Sequence, residues 1–364
     1  MKILQIYKTY YPDTFGGIES VIQSLAHETQ ALGAEQTLLT VSSSTRKDTV
    51  NHLPVIRYKK NLEIASCPFS LQFFKNFKQI AQNHDILHFH YPWPFADFTD
   101  LLRKVDRPSL VTFHADAIKH TLLKKIYSPF QQAFFKKVNH IVPTSLPLLR
   151  TSADLQDFKD KCRVIPLGIE PAAYPKANKE ILKKWQTKLG KDFVFFMGVL
   201  RHYKGLDTLI DSAKNLNLSI VIAGSGPCEA ELKAKAEGLN NIHFLGRVSE
   251  EDKVALYQLC SMVVLPSHNR AEAFGITLLE GLMYQKPLIS TELGTGTSYV
   301  NQDGETGFVI PPNNSHALCE AITKLQNPEL AEKMGKSGYA WFLKEFQSAI
   351  MGQRYFELYQ SLLK

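Results

Sequence analysis

Residues 262–291 read MVVLPSHNRAEAFGITLLEGLMYQKPLIST, the order of a strand, a turn, a helix and a second strand. The apolar run Met262–Leu265 is short and ends at Pro266-Ser267, as a buried strand does. A helical pattern begins near Phe274 or Gly275, and Pro287 precedes a second apolar run, Leu288–Ser290. This is the repeating unit of a parallel sheet with crossover helices. Within it stand two glutamates, Glu272 and Glu280, eight residues apart. That spacing is a little over two helical turns, so one acid flanks the helix start and the other lies on the second turn. The first N–H groups of a helix have no partner inside it and favour anions. The backbone of Ala273, Phe274, Gly275 and Ile276 is therefore expected to receive a phosphate. Glu280 is placed to accept hydrogen bonds from a ribose, and Glu272 from a sugar hydroxyl.

The same alternation extends in both directions. Ile3–Tyr7, Thr37–Val41, Ile86–Phe89, Leu110–Phe113 and His140–Val142 read as the strands of a first sheet, with amphipathic stretches such as Glu19–Ala31 and Phe73–Gln82 between them. A second series begins at Phe193–Gly198 and continues through Leu218–Ala223, Ile242–Leu245, Met262–Leu265, Leu288–Ser290 and Gly307–Ile310. Between the two lies PLGIEP, residues 166–171, followed by a polar, Lys-rich segment. The expected fold class is α/β: one doubly wound domain over residues 1–170 and another over 171–340, their strand ends facing across a deep cleft. The aromatic-rich stretch Trp341–Lys364 reads as a helical tail that packs back on the first domain.

Composition narrows the function classes. Hydrophobic residues make up 44% and charged residues 21% of the 364, which suits a globular protein. No apolar run approaches the roughly 20 residues of a spanning helix, and the start, MKILQIYKTYYP, is too short and too polar for a signal peptide. Five scattered cysteines, none in a C-x-x-C pair, argue against disulfides and structural zinc and suit the cytoplasm. Residues 1–168 hold 21 Lys and Arg against 14 Asp and Glu, so the whole net charge of +7 lies in the first half. An anionic membrane surface, a phosphorylated lipid acceptor or nucleic acid would each suit such a bias. No nucleic-acid motif accompanies it, so nucleic acid is not an expected partner.

Four further strand ends carry polar chemistry. Met197-Gly198 is followed by Arg201 and Lys204, cations suited to a diphosphate that gains charge as a leaving group. Gly16-Gly17 follows the first strand and opens a helix, letting the backbone approach a phosphate or sugar. It lacks the G-x-G-x-x-G spacing of a dinucleotide site, which counts against NAD or FAD. His114 and Asp116 stand at another strand end, and Gly224 and Gly246-Arg247-Val248 at two more. His88 and His90 share a strand face, but no third ligand stands at metal spacing and no D-x-D occurs, so no metal is expected. His90 reads instead as a cleft-lining, acceptor-side residue.

With these residues in view, the chain resembles the retaining glycosyltransferases of family 4, which have the GT-B fold. VLPSHNRAEAFGITLLEGLMYQKPLIS and TELGTGTSYVNQDGETGFVIPP carry most of the likeness, and the first domain matches more weakly over its whole length. Within the family the chain is most similar to the rhamnosyl and mannosyl transferases of surface-polysaccharide assembly. The resemblance implies Glu272, His114, Lys204 and Arg201 as catalytic groups and the Gly16-Gly17 loop over the donor's phosphates. It also implies the nucleotide near Gly224, with the backbone near Arg247 and Val248 reading the base, and Asp116 beside His90 toward the acceptor. The family more often has arginine directly after the glycine, where Val199 stands here; Lys204 keeps the family spacing of six from Gly198.

The expected enzyme is thus a retaining hexosyltransferase that uses a nucleotide-sugar donor, with no metal and no other cofactor. GDP-mannose leads and UDP-sugars follow; the acceptor is a glycan or a lipid-linked glycan. The expected location is cytoplasmic, with peripheral contact at the inner face of the membrane. A GT-B nucleotide-sugar epimerase, a sugar phosphorylase and a two-lobed binding protein are the rival readings. Nucleotide binding and acceptor-dependent turnover separate them.

Overall fold

The structure, a computed structural model, describes residues 1–116 and 121–364, the side chains of residues 121–123 excepted. It divides into two compact units, Met1–Gly168 with Ser348–Lys364, and Ile169–Gln347.

The first unit runs β1 (Lys2–Ile6), α1 (Gly17–Ala31), β2 (Glu35–Ser42), β3 (Arg46–Val50), β4 (Leu53–Lys59), β5 (Leu62–Ile64), β6 (Cys67–Phe69), α2 (Leu71–Gln82) and β7 (Ile86–Tyr91). It continues with α3 (Pro94–Arg103), β8 (Ser109–Phe113), α4 (Thr121–Lys137), β9 (His140–Pro143) and α5 (Leu146–Thr151). Its sheet has the order β3-β4-β2-β1-β7-β8-β9, parallel except for the β3–β4 pair. Strands β1 beyond Lys2, β7 and β8 are buried on both faces, and one of those faces carries the polar side chains Gln5, His88, His90 and Thr112. On α2, Ser70 caps the start by accepting from Phe73 N at 3.2 Å, and Phe73, Phe77 and Ala81, four apart, are buried.

The second unit runs α6 (Lys179–Leu189), β10 (Val194–Met197), α7 (Leu206–Ala213), β11 (Ile220–Ala223), α8 (Glu229–Lys235), β12 (Ile242–Gly246) and α9 (Glu250–Leu259). Then follow β13 (Met262–Leu265), α10 (Ile276–Met283), β14 (Leu288–Thr291), α11 (Thr297–Val300), β15 (Gly307–Ile310), α12 (Ser315–Lys324) and α13 (Pro328–Glu345). Its parallel sheet has the order β12-β11-β10-β13-β14-β15.

Both sheets reverse direction of growth at one place, between β1 and β7 in the first unit and between β10 and β13 in the second. Loops leaving the carboxyl ends on either side of such a point diverge and leave room for a ligand. Gly16 and Gly17 follow β1, His114 and Asp116 follow β8, Arg201 and Lys204 follow β10, Gly224 follows β11 and Glu272 follows β13. His90 lies on β7 itself, Glu280 on the second turn of α10, and Arg247 and Val248 after the edge strand β12.

The stretch from Trp341 is two helices, not one tail. Trp341–Glu345 completes α13, the chain breaks at Phe346-Gln347, and α14 (Ser348–Leu362) belongs to the first unit. There it packs on α1, where a Cβ on Gly352 would stand 2.3 Å from Glu28 Cβ, and Ser348 Oγ donates to Glu28 Oε1 at 2.6 Å. Strands β3 and β4 were not foreseen: their charged residues mask the apolar alternation. Arg57 on β4 is fully buried, held by Asp48 across the pair at 3.0 Å and by Asp13 at 3.3 Å.

Candidate active site

In the second unit the β10 and β13 loops are joined at the switch point. Beyond β10 the turn His202–Lys204 lies against the residues after β13: His268 N donates to Tyr203 O at 2.9 Å. From this turn Lys204 Nζ reaches Glu272 Oε2 at 2.5 Å, and Ser267 Oγ donates to the same oxygen at 3.1 Å. Both side chains are about nine-tenths buried. Burial pulls the Lys204 ammonium down, but Glu272 and Tyr203 beside it prevail, so its pKa lies above the ordinary value. The backbone of Glu272 is also fixed, its carbonyl accepting from Thr295 Oγ1 at 2.7 Å.

Helix α10 begins at Ile276, one or two residues later than its sequence pattern alone indicates. Gly275 is the N-cap in the left-handed region, φ 86°, where a side chain would also collide with Leu265 and Leu278. Thr277 Oγ1 donates to Met197 O at 2.9 Å and ties the helix start to the end of β10. The first-turn N–H groups thus sit on a fixed base, with the Lys204 turn anchored to the same strand end.

On the second turn Glu280 is buried and oriented by its own unit. Tyr174 OH and Lys253 Nζ donate to Oε1, each at 3.0 Å, and Tyr257 OH to Oε2 at 2.6 Å. A carboxylate offers about four acceptor positions, so one remains, and a ribose diol, with two hydroxyls to donate, would take that one and displace one of the three donors. Lys253, Tyr257 and Tyr174 had no signal in the sequence: they come from α9 and the segment after Gly168, far from the motif.

Arg201 is exposed and extended at the start of the turn, and Arg247 is exposed with its Nε on Ser225 Oγ at 2.9 Å. Val248 follows on the same loop, half-buried. Gly224 stands at the end of β11, where packing also requires it. Its N–H donates to Gly246 O at 2.7 Å, and a Cβ there would lie 1.9 Å from Gly198 O. The glycine is required by packing of one strand-end turn on another, and its amide is spent.

In the first unit Gly16 is the extended N-cap of α1 and Gly17 its first residue. The Glu19 carboxylate folds over this turn, accepting from Thr14 Oγ1 at 2.5 Å, and a Cβ on Gly16 would stand 2.6 Å from Glu19 Oε2. An anion of the chain itself therefore lies at this helix start. His114 follows β8 and is buried; Asp116 accepts from Ser152 Oγ at 2.5 Å.

His90 does not line an acceptor surface. It is 2% exposed, and both ring nitrogens are engaged, Nε2 with Gln5 Oε1 at 2.7 Å and Nδ1 with His114 Nε2 at 3.0 Å. In the parallel register it faces Thr112, so its ring stacks between His88 and His114. Its contact is with the candidate catalytic histidine. No cluster of His, Cys, Asp and Glu suited to a metal occurs among the described residues.

Burial holds His88, His90 and His114 below the ordinary 6.5, His114 at about 3, and the neighbouring imidazoles lower His88 and His90 further. The folded chain thus refuses protons that the unfolded chain accepts below about pH 6.5. Stability is fully present above that value and is lost as pH falls, at about 1.4 kcal/mol per unit for each group. Asp97, raised by burial to about 8, and Asp100, also raised, oppose this by holding protons in the folded state. Three imidazoles outnumber two carboxyls. The melting temperature is expected to fall between pH 6.5 and 4, and more steeply in Asp97→Asn; a rise toward acid would contradict the neutral histidine core.

Comparison with known proteins agrees with this architecture. A family model described as glycosyl transferases group 1 matches residues 177–341, and one described as glycosyltransferase family 4 matches residues 15–173. The D-rhamnosyltransferase WbpZ of Pseudomonas aeruginosa is 44% identical over 352 residues, covering 95% of this chain and 92% of the relative. The chain belongs to the family 4 glycosyltransferases. The O-antigen chain mannosyltransferase C of Escherichia coli is 42% identical over 369 residues, covering 100% of this chain and 99% of that protein. Among solved structures, Anabaena Alr3699/HepE in complex with UDP superposes with a TM-score of 0.79 over 99% of this chain and 100% of that one, at 17% identity. Two Rossmann-like units of this topology are the GT-B fold. The first family model spans Lys204, Glu272 and Glu280, and the second spans Gly16, Gly17, His90 and His114.

Proposed function

We propose that this family 4 enzyme transfers mannose from GDP-mannose, with retention and without a metal, onto a lipid-linked glycan of surface-polysaccharide assembly. The observation that carries the donor half is the Lys204–Glu272 pair set against the start of α10, with Glu280 one turn further on. Glu280 takes the ribose, Lys204 and Arg201 the diphosphate, and Glu272 a hydroxyl of the sugar; His114 of the first unit takes another. The bond from the anomeric carbon to the phosphate oxygen breaks, and one to the acceptor oxygen forms on the same face. The acceptor's proton passes to the departing diphosphate. As the leaving group gains charge, Lys204 and Arg201 supply the compensation that a metal would otherwise give.

Mannose is favoured by the relatives, whose names give mannosyl and D-rhamnosyl transfer and, for one, O-antigen chains. A guanine-nucleotide donor leads in this reading, with UDP, found in the more distant structural neighbour, next. Melting temperatures with GDP, UDP, ADP and dTDP in the presence of EDTA test this. Stabilisation by GDP, lost in Glu280→Ala, is expected. Stabilisation by UDP alone would replace the donor, and no response to any of the four would remove the donor site.

The acceptor half is supported by an apolar groove on the first unit. One part, about 250 Å³, is lined by Phe69, Phe95, Phe98, Ile126 and Phe130 among others. An adjoining part of about 330 Å³ shares Phe69, Phe95 and Phe98 and adds Leu62, Leu71 and Phe74. Leu62, Leu71, Phe98, Ile126 and Phe130 are all at least 37% exposed, a group of large apolar side chains open to solvent along this groove. Lys125 adjoins Ile126 and Lys75 adjoins Phe74, and Arg103 lies over the Phe74 ring at 5.3 Å. Apolar groups rimmed by cations suit the surface of an anionic bilayer. In the sequence Leu122-Leu123-Lys124-Lys125-Ile126 interleaves apolar and basic residues in the same way, and the side chains of Leu122 and Leu123 lie outside those described. Among the described residues no helix is long and apolar enough to cross a membrane, so the reading is of peripheral contact.

A further inference from the structure

The buried polar chain of the first unit has a direction, and it ends on His114. It starts at a backbone carbonyl on α1. Leu25 O accepts the Thr29 hydroxyl at 2.7 Å. A carbonyl only accepts, so the single Thr29 hydrogen is committed there, and Thr29 Oγ1 accepts from Gln36 Nε2 at 2.7 Å. Gln36 therefore turns its oxygen toward Gln5, whose Nε2 donates to it at 3.1 Å. Gln5 in turn presents Oε1 to His90 Nε2 at 2.7 Å, so His90 carries its hydrogen on Nε2. A neutral imidazole has one donor and one acceptor. His90 Nδ1 thus accepts, at 3.0 Å, from His114 Nε2.

Reversing any link fails at the far end. A flipped Gln5 would bring two amide oxygens together unless Gln36 flipped as well. Gln36 would then ask Thr29 for a second hydrogen that it does not have. A side branch agrees. Gln5 Nε2 also donates to Tyr359 OH at 3.3 Å, and the branch is satisfied with Tyr359 donating to His88 Nδ1, 2.6 Å away, and His88 Nε2 donating to Thr112 Oγ1, 2.7 Å away.

We propose that Gln5 is a positioning residue that fixes His114 with its hydrogen on Nε2, leaving Nδ1 to meet the donor only as a hydrogen-bond acceptor. Such an atom selects a hydroxyl and repels a phosphate oxygen, whose lone pairs it cannot serve. The choice of hydroxyl rests on the reading above that His114 meets the transferred sugar; the tautomer itself does not.

Long-range ¹⁵N–¹H correlation spectra of the full chain labelled with ¹⁵N-histidine read the tautomer directly, the His114 signals being assigned by their loss in His114→Gln. The wild type at pH 7 is expected to show His114 neutral with its hydrogen on Nε2. In Gln5→Met, His90 loses its acceptor and turns its hydrogen to Nδ1, so His114 is expected to move to Nδ1–H. The turnover number falls roughly 100-fold, with little change in the donor's KM. Should Gln5→Met fail to fold, Thr29→Val on α1 releases the same chain from its fixed end and is read the same way. A wild-type His114 protonated on Nδ1 or on both nitrogens overturns the proposal, as does an unchanged tautomer in the variants. A shifted tautomer with unchanged turnover supports the relay and overturns the contact between His114 and the sugar.

Discussion

Lys204→Met is expected to reduce the turnover number by roughly 10²- to 10³-fold, the loss typical of removing one group that stabilises developing charge. It is also expected to destabilise the second unit. Glu272 is about nine-tenths buried and would lose its counter-ion, which costs about 3–5 kcal/mol when one partner of a buried pair is removed. The two effects are separable. Adding Glu272→Gln removes the orphaned charge while keeping a side chain of the same shape that can still meet Ser267. The double variant should therefore recover most of the melting temperature and none of the activity. If Lys204→Met kept activity within about 10-fold of the parent, Lys204 would not be the diphosphate's counter-charge. If it kept its stability, the ion pair would contribute nothing to the fold in the absence of donor.

Phe98→Asp combined with Ile126→Asp should abolish binding to anionic vesicles while leaving turnover on a soluble acceptor unchanged. Each apolar side chain contributes about 1.5–3 kcal/mol when fully removed from water. Losing both, with two negative charges added, corresponds to at least about 100-fold in affinity. Neither residue belongs to the core: Phe98 is 37% and Ile126 62% exposed, so the fold should tolerate the change. Turnover on a lipid-linked acceptor should fall with vesicle binding. Equal activity of the wild type on soluble and lipid-linked acceptors, with no vesicle binding, would end the membrane reading.

The parallel α/β units were legible because buried strands such as Met262–Leu265 are short, apolar and punctuated by Pro or Gly. Glu272, Glu280 and Lys204 were legible for a related reason: each is fixed by distance along the chain from a strand end or helix start. What was illegible lies across the chain. Lys253 and Tyr257 reach Glu280 from α9, a helix whose own sequence gives no reason to single them out. The pairing of His90 with His114 depends on the register of β7 against β8, which no spacing within either strand reveals. Taken alone, His-Phe-His pointed outward to a ligand; the register turns it inward. The packing of Gly224 on Gly198 was illegible too, because a glycine required by a neighbouring backbone has the same one-letter signature as one required by a ligand.

Helix α14 has a consequence for how the chain is made. It completes the first unit, and its Tyr355 and Tyr359 close the hydrogen-bonded core around Thr112 and His88. A ribosome delivers it only after residues 169–347 have been synthesised. At about 5–20 residues per second the wait is roughly ten to forty seconds. Throughout that interval the nascent first unit lacks Tyr355 and Tyr359, while the second unit, encoded without interruption, has its whole sequence as soon as residue 347 is made. The segment translated second is thus the one free to fold first, and the unit translated first is finished last.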